Sequence, residues 1–225
     1  YCPDAQRRSS RARAGYVRGG PGEVGDMSTF VKICGLRDAS DVAAAVAAGA
    51  NAVGFVFAES LRQVTPEQAN AATQDIQPGV RRVAVMRHPT SEACDWVLRE
   101  FAPDVIQTDA EDFLTLQIPD HVECLPVYRE GSASADDVPT GVYVYEGPDS
   151  GTGHTIDWSR AAGIARHGRM ILAGGLAEDN VGQAIRSVAP WGVDVSSGVE
   201  SLPGRKDHEL IKRFVSAVRA AEKSL

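Results

Sequence analysis

Short apolar segments alternate with helical segments from residue 29 to residue 221, and this alternation constrains the fold more than any other feature. The apolar segments predict strands over 31–34, 52–57, 82–86, 104–107, 123–128, 142–146, 170–173 and 192–195. Helical patterns cover 39–48, 91–101, 178–187 and 207–221, begin at Pro66 and near Asp157, and are weak at 109–116 and 132–137. Eight strand–helix units predict an α/β fold, a single-domain (β/α)8 TIM barrel with parallel strands. The alternative, a doubly wound open sheet, usually has fewer strands and begins with a GxGxxG turn, which this sequence lacks.

Helix-boundary residues support this assignment at the first two helices. Asp38 or Ser40 lies near the start of the first helix, and Gly49 follows its end. Thr65 is a suitable N-cap for the second helix because Pro66 then takes the first helical position.

The first 26 residues differ in composition from the rest of the chain. They are rich in Arg, Ser and Gly and contain no continuous apolar run of the kind found in secretory signals. We expect residues 1–26 to form a disordered leader or extension, with an Arg-rich transit peptide as the weaker alternative. The barrel domain is expected to cover residues 27–225.

Composition limits the classes of partner. The formal net charge is −7, which disfavours nucleic-acid binding, and no apolar run approaches the roughly 20 residues that span a bilayer. The four cysteines form no CxxC pair, which favours free thiols and a cytoplasmic protein. The five histidines show no metal-ligand spacing, so no metal site is expected.

Active sites of such barrels lie at the carboxyl ends of the strands, and polar residues occur at several of these positions. They are Cys34, Arg62, Gln107, Asp109, Glu146, Asp149 and Asp194. Cys34 could accept a proton there, or it could be a small buried apolar residue. Glu146 ends an apolar strand, where a carboxylate is costly unless it has a function or a cationic partner. Arg62 could bind a carboxylate or be a solvated loop charge.

Two glycine-containing turns follow the seventh and eighth strands. Gly174-Gly175 and Ser196-Ser197-Gly198 could let backbone N–H groups approach a phosphate, and Gly151-Thr152-Gly153 could contribute a third turn. Tight turns without a ligand are the alternative for each glycine. Two such turns at adjacent strand ends favour a phosphate-binding site.

With these residues in place, the chain resembles the phosphoribosylanthranilate isomerases of tryptophan biosynthesis from about residue 31 to 220. The resemblance lies in Lys32-Ile33-Cys34-Gly35-Leu36, Gly54-Phe55-Val56-Phe57, Gly151-Thr152-Gly153 with Asp157-Trp158, Leu172-Ala173-Gly174-Gly175-Leu176, and Val193-Asp194-Val195-Ser196-Ser197-Gly198-Val199-Glu200 followed by Pro203-Gly204 and Lys206-Asp207. It implies a cofactor-free aldose–ketose isomerisation of a phosphoribosyl substrate, the Amadori rearrangement, by a monomer or homodimer.

The resemblance also implies residue roles. Cys34 is the general base and Glu146 occupies the position of the general acid, which is an Asp in the family. Arg62 matches the residue that meets the anthranilate carboxylate, and Asp194 the one that contacts the sugar. The resemblance assigns phosphate binding to Gly153, Gly174, Gly175, Ser196, Ser197 and Gly198.

Three positions depart from the family pattern. Glu146 replaces an Asp, so Asp149 is an alternative acid. Gln107-Thr108-Asp109-Ala110 stands where the family has Gln-Leu-His-Gly, and Ser60-Leu61-Arg62 where it has Ser-Pro-Arg. These changes leave open a divergent barrel that binds a phosphosugar without turnover or accepts another substrate. A phosphoribosyl isomerase of histidine synthesis is a further alternative, disfavoured because those enzymes have an Asp at the position of Cys34.

Overall fold

Eight parallel strands close into a barrel in chain order in a computed structural model, which describes residues 28–131, 139–148 and 156–223. The strands are β1 (Phe30–Cys34), β2 (Ala52–Val56), β3 (Arg81–Val85), β4 (Val105–Asp109), β5 (Glu123–Arg129), β6 (Val142–Glu146), β7 (Arg169–Leu172) and β8 (Gly192–Val195). β1 pairs with β8 in a register that sets Phe30 beside Gly192 and Lys32 beside Asp194, which closes the barrel. The predicted (β/α)8 architecture is therefore confirmed. The leader at 1–26 and the weak helix at 132–137 lie outside the described residues.

Six α-helices surround the barrel within the described ranges. They are α1 (Ala39–Ala48), α2 (Pro66–Ala72), α3 (Ser91–Glu100), α4 (Trp158–Ala165), α5 (Val181–Val188) and α6 (His208–Glu222). A 3-10 helix over Ala110–Leu114 takes the place of an α-helix after β4. No helix in this part of the chain is both long and apolar enough to cross a membrane.

The helix boundaries follow from local side-chain contacts. Asp38 caps α1 by accepting from the amide of Asp41, and Gly49 ends the helix with φ 98°. Thr65 caps α2 ahead of Pro66, as predicted, and Gln68 completes a capping box with it. α5 begins three residues later than predicted because Asn180 accepts from Ala177 N–H and donates to Gly175 O, which holds the preceding residues in a loop.

Apolar side chains form two layers, one inside the barrel and one between the barrel and the helices. The interior layer includes Val105, Val127, Val144 and Ile171. The outer layer includes Val31 and Ile33, together with the inner faces of the helices. Alternate residues of each strand therefore point into the barrel, which determines which polar side chains reach its mouth.

A short antiparallel hairpin separates β8 from α6. Its strands are β9 (Glu200–Leu202) and β10 (Arg205–Lys206). The sequence did not predict this hairpin, because strands of two or three residues carry no clear alternation. It brings Glu200 and Lys206 to the carboxyl end of the barrel strands.

The cysteines follow the prediction only in part. Cys34 and Cys94 are free thiols, as expected, but Cys124 is disulfide-bonded. The expectation of a free thiol at Cys124 is therefore wrong. A disulfide requires only that two Cα atoms come within about 7 Å, and sequence spacing does not reveal such proximity.

Candidate active site

The alternation of side chains along the strands brings several polar residues to the mouth of the barrel. On β1, Phe30, Lys32 and Cys34 share the inward face, because Val31 and Ile33 pack outward against the helices. The same alternation places Asp109 and Glu146 inward at the ends of β4 and β6. These ionisable groups thus lie where a substrate entering the barrel would meet them.

Cys34 lies beside a buried ion pair. The thiol is only 7% exposed, and Lys32 Nζ, on the same strand, is 2.8 Å from Asp194 Oδ2 on β8. Burial and the negative charge of Asp194 raise the pKa of Cys34, and the nearby Lys32 and Lys206 act against that rise. Burial acts to lower the pKa of Lys32, yet Asp194 and Cys34 raise it above its usual value. These interactions favour the protonated, positively charged form of Lys32 next to the thiol.

Gly54 provides the space for this arrangement. It is the neighbour of Cys34 in the β1–β2 ladder, and a Cβ atom there would lie 3.0 Å from the sulfur and 3.2 Å from Lys32 Cε. Cβ atoms in proteins rarely lie this close to non-bonded atoms, so any larger residue at position 54 would displace the thiol. The glycine in the Gly54-Phe55-Val56-Phe57 motif therefore positions Cys34.

Glu200 joins two cations next to the thiol. Arg62 donates to it from Nε at 2.7 Å and from Nη2 at 2.9 Å, and Lys206 Nζ donates at 2.7 Å. Burial acts to raise the pKa of Glu200, but its bonds to Arg62 and Lys206 lower it to about 2. Lys206 also donates to Ser196 O at 2.9 Å. We call Lys32, Cys34, Arg62, Asp194, Glu200 and Lys206 the thiol cluster.

Arg62 and Asp194 each retain an unused hydrogen-bonding group. Arg62 binds Glu200 through Nε and Nη2, and its Nη1 has no acceptor among the described residues. Asp194 Oδ1 is buried and likewise has no partner within the described ranges. Arg62 can therefore donate to a second carboxylate, and Asp194 can accept from a hydroxyl group.

The two predicted phosphate turns touch each other. Gly174 and Gly175 have φ angles of 94° and 63°, and a Cβ at Gly198 would lie 1.9 Å from Leu176 O. Ser197 and Gly198 begin a 3-10 helix over Ser197–Val199, and the first N–H groups of such a helix have no acceptor within it. Free N–H groups at a helix start are suited to bind an anion. The third predicted contributor, Gly153, lies outside the described residues.

A second group of charges occupies the opposite part of the mouth. Arg129, at the end of β5, donates from Nε to Asp109 Oδ1 at 2.6 Å and from Nη2 to Asp109 Oδ2 at 3.3 Å. Its Nη1 donates to Glu146 Oε1 at 2.6 Å. We call Asp109, Arg129 and Glu146 the acid cluster. The alternative acid Asp149 lies outside the described residues.

His88 extends the acid cluster toward solvent. Its Nδ1 is 3.1 Å from Asp112 Oδ1 and its Nε2 is 3.6 Å from Asp109 Oδ2. The bond to Asp112 raises the pKa of His88. Ligand atoms of His88, Asp109 and Asp112 lie within 4.8 Å of one another, which is close enough to hold a metal ion. A cation there would have to displace Arg129 from Asp109, so these contacts favour an ion-pair network over a metal site.

The structure brings together most of the residues that the sequence indicated. Cys34, Arg62 and Asp194 lie in one cluster, and Gly174, Gly175, Ser196, Ser197 and Gly198 form adjoining turns. Glu146 lies at the strand end as expected, but in an ion pair.

Sequence reasoning missed the contributions of Glu200, Lys206 and Arg129. The alternation of side chains along β5 could have identified Arg129. It lies two residues after the inward-facing Val127 and therefore also faces inward. Glu200 and Lys206 belong to the segments that resemble the family, but only the structure of the hairpin shows what they contact.

A closed parallel barrel with ionisable side chains at its mouth and glycine-containing turns after β7 and β8 is typical of enzymes that act on phosphorylated small molecules. The family model for N-(5'-phosphoribosyl)anthranilate isomerase matches residues 31–217. The chain belongs to this family. The relative from Granulibacter bethesdensis, an N-(5'-phosphoribosyl)anthranilate isomerase, is 41% identical over 210 residues, which cover 87% of this chain and 100% of the relative.

Solved structures show the same similarity. Phosphoribosylanthranilate isomerase from Thermotoga maritima superposes with a TM-score of 0.76 at 30% identity, covering 85% of this chain and 99% of that one. A second phosphoribosylanthranilate isomerase, with a TM-score of 0.74, 30% identity and the same coverage, was solved in complex with reduced 1-(o-carboxyphenylamino)-1-deoxyribulose 5-phosphate. A further structure, with a TM-score of 0.73 and 29% identity over the same shares of the two chains, contains monomers generated from the dimeric T. maritima enzyme.

Proposed function

We propose that this protein is an aldose–ketose isomerase of tryptophan biosynthesis, an intramolecular oxidoreductase. It converts N-(5-phosphoribosyl)anthranilate into 1-(o-carboxyphenylamino)-1-deoxyribulose 5-phosphate. The observation that carries the proposal is the Cys34 thiol at the end of β1, flanked by Lys32 and Lys206 beside two anion-binding turns. Membership of the isomerase family supports the same reaction.

Acid and base steps account for the whole conversion without a cofactor. A general acid gives a proton to the ring oxygen, the C1′–O bond breaks, and the anthranilate nitrogen forms a Schiff base with C1′. A general base then removes the proton from C2′, which yields an enolamine. This enolamine tautomerises to the ketone, so no atoms or electrons are gained or lost.

Cys34 is the proposed base. Removing a proton requires the thiolate, and burial alone favours the neutral thiol. Lys32 and Lys206 lower the cost of forming the thiolate because each places a positive charge near the sulfur. The thiol cluster therefore supports proton abstraction at a site from which water is largely excluded.

Glu146 is the proposed acid. It ends β6 and faces the barrel mouth, the position that the family resemblance gives to the acid. Its bond to Arg129 also favours a second candidate function, a barrel that binds the phosphosugar without turnover, because a carboxylate held by a guanidinium is a poor proton donor. Asp149 stays the alternative acid.

The remaining residues are proposed to anchor the substrate. Arg62 would bind the anthranilate carboxylate through its unused Nη1, and Asp194 would accept a sugar hydroxyl through Oδ1. The phosphate would lie on backbone N–H groups of Gly153, Gly174, Gly175, Ser197 and Gly198, with Ser196 alongside. We further propose that the catalytic domain covers residues 27–225, is cytoplasmic, and works as a monomer or homodimer.

The direct test is the fluorescence decay of freshly generated phosphoribosylanthranilate on addition of the purified protein. We expect a rapid decay, and its loss in Cys34→Ala. The matched control is Cys94→Ala, since Cys94 is a buried free thiol of α3 outside the site. Absence of decay in the wild-type protein, with retained binding of the reduced product analogue, would instead establish the non-catalytic barrel.

A further inference from the structure

Gln107 is a buried polar residue of β4 to which the proposed mechanism gives no role. Its side chain shares the inward face of the strand with Val105, because Ile106 between them packs outward against the helices. The residue is only 5% exposed. Its neighbours in the two adjoining ladders are Val85 of β3 and Leu125 of β5, whose side chains have no polar atoms. Gln107 is therefore a polar group between two apolar neighbours on the inside of the barrel.

The side-chain oxygen of Gln107 has no hydrogen-bonding partner in the part of the chain that the structure describes. Oε1 is buried and accepts no bond from any residue of these ranges. The main-chain carbonyl, in contrast, accepts from Met86 N–H at 2.8 Å. A buried acceptor without a donor costs free energy, and most buried polar groups in proteins are therefore paired. A bound ligand that supplies an N–H or O–H donor would remove this cost.

Gln107 lies at the same level of the barrel as Asp194. In a closed barrel of this kind, inward side chains form layers, and each layer is drawn from alternate strands. The strand registers place one residue from each even-numbered strand in this layer: Gly54, Gln107, Val144 and Asp194. Because β4 and β8 stand opposite each other in the closed barrel, Gln107 and Asp194 face each other across its axis.

This layer contains two unused acceptors directly below the mouth. Asp194 Oδ1, like Gln107 Oε1, is buried and has no partner within the described ranges. Layers inside such barrels are usually filled by branched apolar side chains, so two unsatisfied polar groups at one level are unusual. The next layer toward the mouth contains Asp109 and Glu146, each two residues further along its strand. The two acceptors are thus placed to meet a ligand that enters the barrel and carries several donors.

We propose that Gln107 is a substrate-binding residue, whose Oε1 accepts a hydrogen bond from an N–H or O–H group of the bound molecule. This inference rests on the proposed function, whose substrate offers such donors in its arylamine nitrogen and its ribose hydroxyl groups. Asp194 and Gln107 bind the substrate from opposite sides of the barrel. An amide accepts a hydrogen bond without a negative charge, whereas the charge of Asp194 opposes formation of the Cys34 thiolate.

The test compares the wild type with Gln107→Met, which keeps the length of the side chain and removes its hydrogen-bonding groups. The probe is the reduced product analogue, whose Kd is measured by calorimetry so that the readout does not depend on turnover. We expect Kd to rise roughly tenfold, the effect of losing one hydrogen bond. The unliganded variant should melt at or above the Tm of the wild type, because the substitution removes an unpaired buried acceptor.

Two results would overturn the proposal. An unchanged Kd would show that Gln107 does not contact the ligand. A raised Kd together with a Tm well below that of the wild type would show that weaker binding follows from a damaged fold. The matched control is Thr73→Val at the end of α2, a buried position outside the barrel interior where the hydroxyl donates to Ala69 O at 2.9 Å. It should lower Tm and leave Kd unchanged.

A second ligand identifies the donor group. Ribitol 5-phosphate has hydroxyl groups and a phosphate but no arylamine. Weaker binding of both ligands to Gln107→Met would assign the hydrogen bond to a hydroxyl group, and weaker binding of the product analogue alone would assign it to the N–H group. Failure of the wild type to bind the product analogue would refute the proposed function and this inference with it. Equal binding of the analogue to the wild type and to Gln107→Met would refute only the role of Gln107.

Discussion

The thiol cluster and the acid cluster differ in the sign of their excess charge. The thiol cluster contains three cations, Lys32, Arg62 and Lys206, against the carboxylates of Asp194 and Glu200, a net charge of +1 when the thiol is neutral. The acid cluster contains one cation against two carboxylates, a net charge of −1 when Glu146 is ionised. The six residues of the thiol cluster and the three of the acid cluster thus carry net charges of opposite sign.

This difference suits the proposed acid–base mechanism. A base that must become a thiolate is helped by surplus positive charge, and an acid that must keep its proton is helped by surplus negative charge. In each cluster the ion pairs also restrain the positions of the side chains.

The largest effect should come from removing the proposed acid, Glu146. Glu146→Gln retains a side chain of the same size that can accept from Arg129, but it cannot donate the proton, so we expect kcat to fall on the order of 10²–10⁴-fold. The fluorescence assay measures this directly. Asp149→Asn is the comparison, and a large effect there together with a small one in Glu146→Gln would transfer the role to Asp149.

The next effect tests the anchoring part of the thiol cluster. Arg62→Lys loses the planar guanidinium, whose several N–H donors can bind Glu200 and a substrate carboxylate at the same time. We therefore expect kcat/KM to fall about 10²-fold, mainly through a higher KM. The adduct of aniline, which lacks the carboxylate, should react equally well with the wild type and the variant. A similar loss with both substrates would show that Arg62 does not bind the carboxylate.

Stability provides a third test of the thiol cluster. Because the pKa of Glu200 is lowered to about 2, its ionised form stabilises the folded state above the ordinary Glu pKa. We expect Glu200→Gln to lose about 3 kcal/mol of unfolding free energy at pH 7. This difference should shrink as pH falls from about 4.5 toward 2, as urea denaturation at several pH values would reveal. The exposed Glu92 of α3 serves as control, and a loss in Glu200→Gln that is independent of pH would contradict the account.

The sequence predicted those parts of the molecule that depend on local patterns. α1 and β6 have the predicted bounds, and the cap of α2 is as expected, because capping residues and apolar alternation act over a few neighbours. The position of Cys34 at a strand end followed from the same alternation.

The ion pairs could not be predicted in the same way. Arg129 meets Glu146 only because β5 and β6 pair in one register, and Glu200 meets Arg62 across 138 residues of chain. The hairpin that carries Glu200 and Lys206 is too short to leave a pattern. Contacts between distant segments determine the charge balance of both clusters, so the sequence indicated the candidates without indicating their partners.

The central claim is that the thiol cluster stabilises the thiolate of Cys34, the proposed base, and that Glu146 is the proposed acid. The most direct measurement is the pH profile of kcat for the wild type, Lys206→Met and Glu146→Gln. Loss of the Lys206 charge should move the acidic limb, where the thiolate forms, to higher pH by about one unit and leave the alkaline limb in place. Glu146→Gln should leave only a residual rate without the alkaline limb, because the amide has no proton to lose. An acidic limb that stays unmoved in Lys206→Met, or an alkaline limb that remains in Glu146→Gln, would contradict the account.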